Sequence, residues 1–122
     1  MTKKYVTFEM PKDLADEVYN TLEVVSKSGK IRKGVNEVTK ALERNITKLV
    51  VISEDIEPEE IVMHLPLLAK EKKVAIAFVP TKQELGAAIG ISVSCGAVAV
   101  VEEGKAEKDI ASIVSKVNTL NK

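Results

Sequence analysis

Tryptophan is absent from this chain, tyrosine and phenylalanine occur twice each, and cysteine and histidine occur once each. So few aromatic rings argue against the stacking platforms on which many single-strand nucleic-acid binders lay successive bases. The lone Cys95 excludes an internal disulfide and a cysteine metal cluster, and it suits a reducing compartment or one indifferent to redox state. With His64 as the only imidazole, the chain offers no partners at metal-ligand spacing. No apolar run reaches the roughly eighteen residues that a membrane span needs, and Met1-Thr2-Lys3-Lys4-Tyr5 leads into polar sequence without a signal core. The expectation is a cytoplasmic protein, complete as written, with no membrane contact. Charge of one sign is missing too: 18 acidic residues balance 18 basic ones, so any site for a polyanion must be a local patch.

What is present fits one domain spanning residues 1–122, long enough to bury roughly 65 to 70% of its unfolded surface. Hydrophobic residues make up 45% and charged residues 30%, the balance of a soluble globular protein. Leu14, Val18, Leu22 and Val25 recur at helical spacing between Pro11, suited to a first turn, and Gly29. Lys30 to Lys33 is too short and charged for a central strand. Asn36 is a good N-cap for a second helix that turns Val38, Ala41 and Leu42 inward. Leu49 to Ile52, Val74 to Val79 and Ala97 to Val101 are continuous apolar strands.

Between the strands, Glu59 to Glu71 has helical spacing, which Pro66 must break or restart. Thr81-Lys82-Gln83-Glu84 has capping-box spacing and opens a short helix through Leu85 and Ile89, released at Gly90. Ile110, Ile113, Val114, Val117 and Leu120 mark a last helix. Doubly apolar strands alternating with helices imply a three-layer α/β/α sandwich around a central mixed sheet.

Chemistry concentrates in Gly34-Val35-Asn36-Glu37-Val38-Thr39-Lys40. Asn36 and Lys40 share a helical face with Glu37 beside them, near backbone N–H groups left free at a helix start. Guanine presents O6 and N7 as acceptors, which suit Lys40 and the Asn36 amide, and N1–H and N2–H donors where its Watson–Crick edge is open, which suit Glu37. A carboxylate among Arg32, Lys33, Lys40 and Arg44 would be repelled by phosphates unless it met such donors, so it points to base recognition. The alternative is an ordinary capped helix with a solvated polar face. Leu85 to Gly96 is rich in small residues. Ile91 and Val93 within it either form an exposed contact loop or cap the core. Cys95 with His64 as its base is a weak nucleophile pairing that nothing else in the sequence supports.

Gly34 to Lys40, then Val62-Met63-His64-Leu65-Pro66-Leu67-Leu68, then Leu85 to Gly96 together resemble the kink-turn-binding ribosomal protein family called L-seven-Ae, over nearly the whole chain. The likeness is closest to the archaeal large-subunit members, similar in length and without a long basic extension. It implies an α/β/α sandwich that binds kink-turns, in which tandem sheared G·A pairs flank a sharply bent strand. It implies that Asn36, Glu37 and Lys40 read the guanines, that Gly34 lets the RNA approach, and that Lys33 and Arg44 support the backbone. Ile91, Ser92 and Val93 would cover the flipped-out nucleotide, with Ile61 and Pro58 nearby and Lys82 close to phosphates. Val93 stands where some eukaryotic relatives have arginine, which implies a loop that selects by shape and apolar contact and tolerates more RNAs.

The same resemblance implies a non-catalytic, cofactor-free RNA-folding subunit. Its RNAs would be rRNA, box C/D guides for 2′-O-methylation, H/ACA guides for pseudouridylation and ribonuclease P RNA. Its other partners would be core proteins of the guide particles, and the free protein would be a monomer. The rival readings are a small α/β enzyme or nucleotide-binding module using the 85–96 loop, and a protein scaffold using Ile91 to Val93.

Overall fold

Helical spacing of Leu14, Val18, Leu22 and Val25 produces α1 (Lys12–Ser28), whose buried stripe is those residues with Ala15 and Thr21. Pro11 stands just outside it as the N-cap, in extended conformation, and not in the first turn. The computed structural model describes residues 5–120 and continues through β1 (Lys30–Lys33), α2 (Val35–Glu43), β2 (Leu49–Ser53), a 3-10 turn (Glu59–Ile61), α3 (His64–Glu71), β3 (Ala75–Val79), α4 (Lys82–Ala88), β4 (Ala97–Glu102), a second 3-10 turn (Gly104–Ala106) and α5 (Glu107–Leu120). Among the described residues no helix is long and apolar enough to cross a membrane.

The four strands form one mixed sheet in the order β1-β4-β2-β3. β2 and β3 run parallel, Leu49 opposite Ala75 and Ser53 opposite Val79, while β4 runs antiparallel to both of its neighbours. Lys30–Lys33 is therefore an edge strand, in keeping with a segment too short and charged for a central one. Its basic side chains suit that place, because charge on an edge strand discourages pairing with other chains.

Strand periodicity divides the apolar residues between two layers. One face of the sheet presents Leu49, Val51, Ala75, Ala77, Val98 and Val100 to α1, α4 and α5. The other presents Val50, Ile52, Ile76, Phe78, Ala97 and Ala99 to α2 and α3. Small residues lie where helices come close: Ala97 and Ala99 sit beneath α2, which packs on β4 and β1, and Ala75 and Ala77 lie beneath α1 and α5. A slip of one residue would exchange Phe78 for Ala77 under these helices, so volume fixes the register even though both faces are apolar.

The N-terminal segment closes the α2/α3 layer. The buried Tyr5 hydroxyl donates to the Ser53 carbonyl at 2.7 Å and accepts from the Ile56 N–H at 3.0 Å, and the Phe8 ring meets Phe78 edge-on with centroids 5.2 Å apart. Pro66 restarts the helix: the segment from Glu59 begins as a 3-10 turn, and α3 places Pro66 in its first turn, where a missing N–H costs nothing.

Candidate functional site

The strand directions gather one set of termini at a single end of the sheet. β2 and β3 finish there, antiparallel β4 begins there, and β1 arrives there at Lys33, opposite Val98. The Gly34 N–H donates to the Ala97 carbonyl at 2.9 Å and the Ser53 N–H to the Gly96 carbonyl at 2.9 Å. These bonds fasten the start of α2, the end of β2 and the loop before β4 to one another. Gly34 adopts φ +93°, a conformation open to glycine and strained for other residues, and space above its Cα is clear to beyond 4 Å.

Gly34, not Asn36, is the N-cap of α2, and no side chain closes that end. The Val38 N–H still finds the Gly34 carbonyl at 2.9 Å, so α2 starts two residues earlier than an Asn36 cap would allow. The Asn36 amide, unused for capping, stands exposed in the first turn beside Glu37 and Lys40. Glu37 Oε2 and Lys40 Nζ form an exposed ion pair at 3.6 Å. Such pairs contribute only a few tenths of a kcal/mol to a helix, so the two groups are readily exchanged to a ligand.

The other candidates divide by position. Lys33 is exposed next to Gly34. Ile61 is exposed in the turn that follows the end of β2. The exposed Lys82 opens α4, its N–H donating to Asp55 Oδ1 at 2.9 Å and its carbonyl accepting the Cys95 N–H at 3.0 Å. The first bond ties the start of α4 to the segment after β2 and the second pins the loop of residues 90–96 to the helix, and neither engages the ammonium. Ile91 is half-buried and packs on the α1 layer, whereas Val93 is 67% exposed, so one apolar loop residue is an anchor and the other is presented. Ser92 is exposed between them. Asp55, Thr81, Lys82, Ile91, Ser92 and Val93 line an open groove of about 500 Å³. Arg44 is the exception: it caps the opposite end of α2, about 12 Å along the axis from Asn36.

Thr81 caps α4 as its spacing suggests, accepting from the Glu84 N–H at 3.1 Å and donating to Glu84 Oε1 at 2.9 Å. Its backbone meets the Tyr19 hydroxyl, and burial raises that phenol above its ordinary range. Burial first, and Glu9 second, also raise the Glu54 carboxyl.

Cys95 and His64 are not brought together. Cys95 packs into the α1 layer with its thiol toward the Ala97 carbonyl at 3.2 Å, while His64 begins α3 on the other side of the sheet. Thr39 Oγ1 donates to the Val35 carbonyl at 2.8 Å and also lies 2.8 Å from His64 Nε2, a hydrogen bond that joins α2 to α3. Sequence reasoning missed this link between α2 and α3, because nothing in either segment alone signals it. It also missed the apolar exposure of Met63 and of Leu67, which is 72% exposed.

A family model described as "Ribosomal protein L7Ae/L30e/S12e/Gadd45 family" matches residues 16–110, a span that holds every candidate residue above. The chain belongs to this family. Among solved structures, the Giardia lamblia 15.5kD RNA binding protein is 30% identical and superposes with a TM-score of 0.88, covering 98% of this chain and 99% of that one. The matched span includes the segment from Gly34 to Lys40 and the loop up to Gly96.

Proposed function

We propose that this protein binds RNA and stabilises kink-turns without catalysing a reaction. The observation that carries the reading is the convergence, at one end of the sheet, of Asn36, Glu37 and Lys40 on an uncapped helix start with the exposed Val93 loop and Lys82. The likeness to an RNA-binding protein of Giardia lamblia supports the class of ligand. Lys40 and the Asn36 amide meet guanine O6 and N7, and Glu37 accepts from the N1–H and N2–H of a sheared pair. Gly34 keeps the approach clear, Lys33 and Arg44 contact the backbone, Lys82 meets a phosphate, and Ile61, Ile91, Ser92 and Val93 surround the nucleotide turned out of the stack.

Binding only the bent form shifts the RNA toward it by the difference in affinity between the two forms, so folding the RNA needs no cofactor and no chemical step. The same reading extends to one domain over residues 1–122, an archaeal large-subunit member, cytoplasmic and monomeric when free. It would serve rRNA, box C/D and H/ACA guide RNAs and ribonuclease P RNA alongside the core proteins of the guide particles.

A gel shift at stated salt compares a kink-turn with the same RNA in which the G·A pairs are replaced by Watson–Crick pairs. Phosphate attraction alone would hold both equally. Tighter binding of the kink-turn is the expected outcome, and equal affinity refutes the reading.

A further inference from the structure

We propose that Lys48, Lys70, Lys72 and Lys73 form a second phosphate-contacting surface, at the end of the molecule opposite the base-reading residues, which takes the backbone of a double-stranded RNA stem leading away from the kink. The proposal rests on the RNA-binding reading and extends it to surface that the family motifs do not cover.

Topology assembles the cluster. α2 begins beside Ala97 and leads down to the start of β2, and α3 begins beyond the end of β2 and leads down to the start of β3, so the two helices run side by side in one layer. Parallel pairing of Leu49 with Ala75 sets Lys48 beside Val74 and next to Lys73. Lys72 caps α3, and Lys70 occupies its last turn. Lys27, Lys30, Lys40 and Lys116 are each ion-paired, whereas none of these four lysines has such a partner among the described residues. Glu43 and Glu71 are the acidic residues at the ends of the same two helices.

Lysines at a helix C-terminus also complement its dipole, and that alone would account for Lys70. It does not account for Lys73, which lies beyond the helix at φ +59°, where glycine is the less costly residue. A strained lysine beside three unpaired ones marks charge kept at the expense of local stability. The exposed residues Asn36, Glu37, Lys40 and Arg44 fall on one stripe along α2 and point the path from the base-reading end to this cluster. A duplex backbone following that stripe meets cations at both ends.

The test measures binding of the full chain to a kink-turn with a short stem and to one whose stem is longer by about one helical turn. Wild type is expected to bind the longer RNA more tightly. Lys48→Gln/Lys72→Gln/Lys73→Gln should lose about tenfold on the long RNA, flatten its salt dependence by about 2 to 3 in log–log slope, and leave the short RNA nearly unaffected. Lys12→Gln/Lys105→Gln/Lys108→Gln removes the same charge from the other layer and should leave the stem-length gain intact. Lys73→Gly should raise the unfolding midpoint while weakening long-stem binding, a combination that a purely structural lysine would not produce. No gain from the longer stem, or equal losses in the two triple variants, overturns the proposal. So does displacement of the long RNA by polyglutamate at a concentration that leaves the short RNA bound, which would assign the surface to acidic polypeptides. Equal binding of kink-turn and Watson–Crick RNAs would defeat the kink-turn reading alone, and a stem-length gain that persists in both RNAs and is lost in the Lys48 triple would still support this surface.

Discussion

Gly86 lies inside α4, where alanine would ordinarily add about 0.8 to 1 kcal/mol of helix stability. Here an added Cβ would strike the Val93 carbonyl oxygen well inside contact distance, and would also sit 3.2 Å from the Val93 carbon and 3.3 Å from the Cys95 nitrogen. All three are backbone atoms, which cannot rotate aside as a side chain can. The loop is further held by the 3.0 Å bond from the Cys95 N–H to the Lys82 carbonyl and the 3.1 Å bond from the Ile91 N–H to the Gly86 carbonyl. Overpacking of this kind costs about 1 to 3 kcal/mol. Gly86→Ala therefore has two outcomes that share one cause. A loop that holds its place makes the protein less stable by up to about 2 kcal/mol after the helix gain is subtracted. A loop that yields spares stability and moves Val93, so RNA affinity falls instead. Urea unfolding and titration with kink-turn RNA, run on the same preparation, separate the two. A variant more stable by about 1 kcal/mol with undiminished RNA binding would refute the reasoning, since the helix gain would have come with no clash and no displaced loop.

Glu37→Gln and Lys40→Ala should each weaken kink-turn binding by about 1 to 3 kcal/mol in a gel shift, while Cys95→Ala leaves it unchanged; the reverse order would favour chemistry at the cysteine loop. Val93→Arg should sharpen discrimination among kink-turns that differ in the flipped-out base, and equal discrimination by the two proteins rejects a loop that selects by shape. Glu54 carries a raised carboxyl pKa in the folded protein, so between its unfolded and folded values the native state binds a proton that the unfolded chain has released. Its contribution to stability therefore falls as pH rises through that window. Glu54→Gln should be more stable than wild type at neutral pH, with the advantage fading in acid, as urea midpoints across the two ranges would show. A gap between the proteins that does not change with pH contradicts the assignment.

The three apolar strands were legible as continuous apolar runs buried on both faces, and the last helix by the helical spacing of its apolar residues. β1 was not, because three of its four residues are exposed basic side chains and only Ile31 is half-buried, which leaves no apolar run to distinguish it from a charged turn. Asn36 misled for a related reason: cap preference is a local average, and here tertiary pairing of Gly34 with Ala97 moved the boundary and left the amide exposed. The polar residues of the candidate site could be named one by one. Their convergence could not, since it depends on which ends of β2, β3 and β4 coincide, and strand order is a property of the whole chain. Lys48 and Lys73 became neighbours only through the parallel register of β2 and β3.

The bond from the Gly34 N–H to the Ala97 carbonyl also fixes an order of events during synthesis. α2 has its apolar stripe early in the chain, yet the residue that anchors its start belongs to the last strand to emerge from the ribosome. Contacts between such distant segments form late, after the intervening chain has been ordered. A nascent polypeptide thus carries Asn36, Glu37 and Lys40 without the rigid frame that aims them. On the proposed RNA-binding reading, the frame that aims these side chains is complete only when β4 has joined the sheet.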